Sequence, residues 1–158
     1  MPATAAMPLQ DPKDQALMRH LGHAGLIPFV LLALLLWLLS GPEQTFVSVA
    51  LAGYAALIVS FLGGIHWGIA WASARSASGG PLLPRQHVLW GVTPSLLAWP
   101  GLLMPPFAGL AWLGFMLILC YLADRALYAR AGLQGWLTLR FRLSAIASLS
   151  CFIGAGAL

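Results

Sequence analysis

The chain has 158 residues, of which 60% are apolar and 8% are charged, and its formal net charge is +4. So few charges cannot cover a water-exposed surface, and a disordered chain needs low hydrophobicity, so the composition excludes both an ordinary soluble domain and a disordered protein. The length suits a single domain, and two cysteines do not make a disulfide scaffold. The composition indicates an integral membrane protein.

Apolar runs long enough to cross a bilayer core of about 30 Å recur along the chain. They are continuous and rich in leucine, alanine and glycine, which favours helices over the alternating strands of a barrel. We predict an all-α bundle of five transmembrane helices, preceded by a mobile N-terminal tail over residues 1–20, with residues 21–158 forming one transmembrane domain. The predicted spans are 24–40, 46–72, 88–104, 107–128 and 137–158.

The distribution of basic residues predicts the orientation of these spans. If the N-terminus is cytoplasmic, all eight lysines and arginines fall on the inner side, whereas the outer loops carry Glu43 and no basic residue. This positive-inside bias predicts an N-in, C-out protein of the bacterial inner membrane. The net positive charge then needs no nucleic-acid partner, and the basic inner rim is expected to attract anionic lipid. The inner residues are Lys13, Arg19, Arg75, Arg85, Arg125, Arg130, Arg140 and Arg142.

The second predicted helix carries a ridge of small residues spaced four apart, which includes Ser60, Gly64 and Gly68. Small side chains let helices approach closely in lipid, so these three residues are predicted to pack against another helix. Two partners remain open, namely a neighbouring helix of the same chain and a second copy of the chain. The full ridge is Ala52, Ala56, Ser60, Gly64, Gly68 and Ala72.

His66 lies on the same helix, turned by about 160° from Gly64 at 100° per residue. An ionisable residue inside a span is a functional-site hypothesis by default, and the alternative is a neutral histidine that bonds to a neighbouring helix. The face that His66 shares is apolar, which suggests a central position for this helix. The other members of that face are Ala55, Val59, Leu62 and Ala70.

Charged residues collect at the inner ends of the last two predicted helices. Asp124 and Arg125 are consecutive and point about 100° apart, so we expect Asp124 to pair with Arg140 or Arg142 on the next helix. This pair is either a structural clamp or, together with His66, a candidate polar site that opens inward.

The sequence offers little for a metal, a cofactor or a reaction. His20 and His23 share a helix face, but no nearby cysteine or glutamate completes a four-ligand metal site. A bis-histidine haem would need His66 opposite His23 or His87, which lie at a different predicted depth. No known catalytic motif is present. We therefore predict no metal, no cofactor, no catalytic residues and no enzyme activity.

Several blocks of the sequence resemble the DUF3429 family, a group of polytopic membrane proteins that includes the transmembrane protein 69-like proteins. The resemblance covers about residues 20–150 and implies a multi-pass inner-membrane protein, but it implies no specific activity or cofactor. The blocks that carry it are Leu21-Gly22, Gly25–Phe29, Ser60–Gly68, Pro94–Trp99 and Leu139–Leu143.

Two functions remain open at this point. The first is a non-enzymatic accessory or assembly protein that packs against a larger membrane complex or against itself, as the small-residue ridge and short loops suggest. The alternative is a small transporter or lipid-handling protein that uses an inward-facing polar site around His66, with Asp124, Arg140 and Arg142.

Overall fold

The computed structural model describes residues 12–76, 85–130 and 134–158. These residues form six α-helices and one short 3-10 helix, and no strand occurs among them. The α-helices are α1 (Pro12–Ala24), α2 (Ile27–Leu38), α3 (Pro42–Ser76), α4 (Arg85–Leu103), α5 (Pro106–Arg130) and α6 (Leu137–Ala155), and the 3-10 helix is Gln134–Trp136.

The five helices α2 to α6 correspond in order to the five predicted spans, so the predicted all-α five-helix bundle is confirmed. Four segments of the described chain are long and apolar enough to cross a membrane. Helix α4 is not among them, because it opens with Arg85, Gln86 and His87 and contains Pro94 and Pro100. The four segments are Pro12–Leu38, Pro42–Ala72, Pro106–Tyr128 and Leu137–Ala155.

Helix α1 begins inside the segment predicted to be a mobile tail. Residues 12–20 are helical, whereas residues 1–11 lie outside the described residues. The stretch from Gln15 to Arg19 consists of strong helix formers, which accounts for the helix. Gly25 and Leu26 form a turn between α1 and α2, and Pro28 follows in the first turn of α2, where the missing N–H costs no helical hydrogen bond.

Helix α3 is the centre of the bundle and packs against α2, α4, α5 and α6. Its buried face is the one that His66 shares. The later members of the small-residue ridge, Gly64, Gly68 and Ala72, are exposed on the other side, whereas Ala52 and Ala56 are buried, because a spacing of four residues drifts by about 40° per step. Burial of this face is consistent with the central position expected for the helix. Its members Ala55, Val59, Leu62, His66 and Ala70 are all at most 5% exposed.

The close approach of α3 to α4 uses a different glycine from those predicted. A Cβ atom built on Gly63 would lie 2.7 Å from the carbonyl oxygen of Gly91, so the two backbones touch there. Gly64 and Gly68 are exposed, and a Cβ on either meets no atom of the described residues within 4 Å. The two glycines therefore do not pack against the described part of the chain, because they lie on the opposite side of α3 from its buried face. Ser60 does contact α4, through a 2.8 Å hydrogen bond between its hydroxyl and that of Ser95.

Candidate functional site

Two histidines, an aspartate and an arginine meet inside the bundle, at the end where α3 and α5 finish and α4 and α6 begin, and the buried ring of Tyr128 packs against one of the histidines with centroids 5.5 Å apart. We call His66, His87, Asp124 and Arg140 the polar cluster. Each comes from a different helix, namely α3, α4, α5 and α6 in that order. Their exposed fractions are 0%, 5%, 1% and 8%, so the cluster is shielded from solvent and from lipid.

Asp124 is the hub of the cluster. Its Oδ1 atom lies 2.8 Å from His66 Nε2, and its Oδ2 atom accepts a hydrogen bond of 2.8 Å from Arg140 Nε and a second bond from Arg140 Nη2. Arginine binds a carboxylate through two N–H groups in this way because its donors form a fork. The carboxylate thus ties α5 to both α3 and α6.

For a neutral His66, the hydrogen bonds also fix which nitrogens of the two histidines carry protons. A carboxylate only accepts, so His66 donates from Nε2. In a neutral imidazole the other nitrogen then accepts, and His66 Nδ1 lies 2.9 Å from His87 Nδ1, which therefore carries the proton of that bond. The two rings are stacked with centroids 5.1 Å apart. The result is a continuous chain of hydrogen bonds from His87 to Arg140.

The structure brings together three of the predicted polar-site residues, His66, Asp124 and Arg140, and leaves out the fourth. Arg142 is exposed, because it lies two residues, or about 200° of helix rotation, from the buried Arg140. The pairing of Asp124 with the helix that follows it agrees with expectation, and the structure selects Arg140 as the partner.

His87 was not predicted to join this site. Its position at the start of α4 suggested an interfacial residue, and only the approach of α4 to α3 places it beside His66. Of the other histidines, His23 is exposed and bonds through Nδ1 to the Arg19 carbonyl oxygen, at 2.7 Å. Within the described ranges no group of three or more histidine, cysteine, aspartate or glutamate side chains is arranged to hold a metal ion.

A cavity of about 540 Å³ lies beside the polar cluster. Helices α1, α2, α3, α5 and α6 line it, and its walls are almost entirely apolar. Along α3 it runs from Ile58 to Ile69, which is about 16 Å at 1.5 Å per residue. Arg140 is the member of the polar cluster that also lines the cavity.

Ser144 gives the cavity a second polar group on α6, one helical turn from Arg140. The residue is 5% exposed, and its hydroxyl has no hydrogen-bond partner among the described residues. A buried serine in a helix commonly bonds to the carbonyl four residues earlier, as Ser150 does to Ile146 at 2.9 Å. A buried hydroxyl without a partner is costly, so this one calls for an explanation.

Comparison with known proteins places the chain in a family. The family described as "Protein of unknown function (DUF3429)" matches residues 15–156. Transmembrane protein 69 of Xenopus tropicalis is 43% identical over 98 residues, which are 60% of this chain and 35% of that protein. The chain thus spans about a third of the length of this curated relative. No solved structure matches the chain. Since the family match covers most of the sequence, the chain belongs to the DUF3429 family of membrane proteins.

Proposed function

We propose that this protein handles lipid: it is a non-enzymatic, multi-pass protein of the bacterial inner membrane that holds an amphipathic lipid molecule in the cavity beside the polar cluster. The observation that carries the proposal is the cavity itself, which joins apolar walls to a polar end formed by Arg140 and Ser144. Its volume of about 540 Å³ falls in the range of about 300–1,000 Å³ typical of small-molecule sites.

The position of the cavity supports a ligand that arrives from the bilayer. Helix α1 forms part of the wall through Met18, Leu21 and Gly22, although α1 itself has no buried residue and makes few contacts with the rest of the bundle. A wall so loosely attached gives a lipid a lateral route into the space between α3 and α6. Water-soluble ligands are disfavoured by the almost wholly apolar lining.

The charges support the N-in orientation and the inner-membrane location. All eight basic residues are on α1 or near the end of the bundle where the polar cluster lies, and Glu43 begins α3 at the opposite end. The positive-inside rule then assigns the polar cluster to the cytoplasmic side. Exposed Arg125 and Arg142 at this rim are suited to bind anionic lipid head groups.

The test is whether the intact protein retains lipid in a way that depends on the cavity. We would purify the full chain in a mild detergent and measure bound lipid by native mass spectrometry. Leu143 lines the cavity, so Leu143→Trp is expected to fill it and to abolish retention. Leu149→Trp is the matched control, because Leu149 is on the same helix but is 58% exposed and outside the cavity lining. Equal retention by wild type and Leu143→Trp would contradict the proposal.

A second function, that of an accessory or assembly subunit, is favoured by the exposed side of α3. Gly64 and Gly68 present open backbone there, a surface suited to a helix of another protein or of a second copy. The test is affinity purification of the tagged chain from native membranes in mild detergent. A stoichiometric partner that is lost in Gly64→Leu and kept in Leu149→Trp would support this function. Migration as a lone monomer would contradict it.

A further inference from the structure

We infer that the molecule held in the cavity is an ester-linked glycerolipid, whose ester carbonyl accepts a hydrogen bond from Ser144 and whose polar head lies against Arg140. This inference rests on the proposed lipid-handling function and names its ligand class. Three independent features of the cavity carry it, namely the unpartnered hydroxyl, the spare donors of the arginine, and the length and polarity of the cavity.

The hydroxyl of Ser144 indicates that the ligand has a carbonyl acceptor. Ser144 lines the cavity, and its buried hydroxyl has no partner within the described ranges. The walls around it are apolar, so a ligand atom is the partner that the site lacks. An ester carbonyl supplies a hydrogen-bond acceptor at the point where a lipid changes from polar to apolar, which is the environment that Ser144 occupies.

Arg140 indicates that the ligand has a second polar group, one helical turn nearer the end of the bundle. A guanidinium has five N–H donors, and Asp124 receives the bonds from Nε and Nη2. The side chain of Tyr128, which also lines the cavity, takes a further bond from Arg140, and the remaining N–H groups are available to a ligand. The Asp124 carboxylate already balances the charge of Arg140. The site therefore recognises the head region by hydrogen bonds, and the ester, more than the head-group charge, defines the ligand class.

The dimensions of the cavity agree with one acyl chain. Arg140 and Ser144 are four residues apart on one face of α6, which separates their Cα atoms by about 6 Å along the helix. The whole cavity follows α3 for about 16 Å, from Ile58 to Ile69, and this length includes the level of the polar cluster at His66. It is close to half of the bilayer core of about 30 Å. The polar end is at the basic end of the bundle. A lipid of the inner leaflet, whose head group faces the cytoplasm, can therefore enter the cavity without reversing its orientation in the bilayer.

The experiment compares an ester-linked with an ether-linked phosphatidylglycerol of identical chain length, since the ether lipid lacks only the carbonyl oxygens. Competitive binding of the two lipids to the full chain is measured by native mass spectrometry. One hydrogen bond of ordinary strength predicts that wild type prefers the ester lipid by about 2- to 12-fold. Ser144→Ala is expected to reduce this ratio to about one. Ser150→Ala is the matched control, because Ser150 is equally buried and bonds within its own helix.

Each outcome decides the inference. Loss of the ester preference in Ser144→Ala but not in Ser150→Ala would support it. An ester preference that survives in Ser144→Ala would overturn it. Equal binding of both lipids by wild type would also overturn it, yet would leave the proposed lipid-handling function standing if Leu143→Trp still abolished retention. Failure of wild type to retain either lipid better than Leu143→Trp would overturn the inference and the proposed function together.

Discussion

Replacing Asp124 with asparagine removes the negative charge on which His66 and Arg140 converge, while keeping the size of the side chain. In the wild-type protein the carboxylate and the guanidinium cancel, whereas in the variant a cation that is 8% exposed has no counter-charge. Removing one partner of a buried ion pair costs about 3–5 kcal/mol. At about 2–4 °C per kcal/mol for a chain of this size, the expected fall in melting temperature is about 6–20 °C.

The assay is thermal unfolding of the purified protein in detergent, followed by tryptophan fluorescence. Glu43→Gln is the control, because it removes an exposed carboxylate at the start of α3. The double variant Asp124→Asn with Arg140→Gln removes both charges and is expected to recover a large part of the lost stability. If Asp124→Asn melts as Glu43→Gln does, the clamp between α5, α3 and α6 contributes nothing and the reasoning fails.

Three further predictions concern packing. Gly63→Ala is expected to lower the melting temperature, because a Cβ there meets the Gly91 backbone at 2.7 Å. Gly64→Ala has open space around its new Cβ and should be neutral or stabilising by up to about 1 kcal/mol. Equal melting temperatures of the two variants would contradict this expectation. Tyr54→Phe removes a 2.8 Å hydrogen bond from its hydroxyl to the carbonyl of the glycine between α1 and α2, and should cost about 0.5–1.5 kcal/mol in the same assay. The two cysteines, at most 1% exposed, should react with a maleimide only after unfolding, and rapid labelling of the native protein would refute their burial.

Most of the helical architecture could be predicted from hydropathy, because each span has to bury its backbone polar groups within itself in a bilayer. The depth of each residue follows from its place in a span. The predicted depth in the membrane was therefore enough to place His66, Asp124 and Arg140 in one candidate site. It could not separate Arg140 from Arg142, since which face of α6 turns inward depends on the packing of its neighbours.

What the sequence could not supply was the arrangement between helices. Gly64 and Gly68 have the GxxxG spacing that predicts helix packing, yet Gly63 is the glycine that touches α4. His87 joins His66 only because that contact brings the start of α4 beside α3. The cavity likewise depends on how α1, α2, α3, α5 and α6 come together, which no periodicity encodes.

The order of the buried charges along the chain has a consequence for how the protein enters the membrane. Asp124 and Arg140 are 16 residues apart on consecutive helices, so their ion pair closes within the α5–α6 hairpin. A single charge at the centre of a helix costs about 2.5–3.5 kcal/mol on translocon scales, and the cost is smaller for Asp124 and Arg140 because they lie near the ends of their helices. Inserted as one hairpin, the two helices carry a neutral pair. We therefore expect the insertion machinery to release α5 and α6 into the bilayer together. Helix α3 can enter the lipid earlier, because its buried ionisable group is a histidine that is able to stay uncharged until the other helices pack against it.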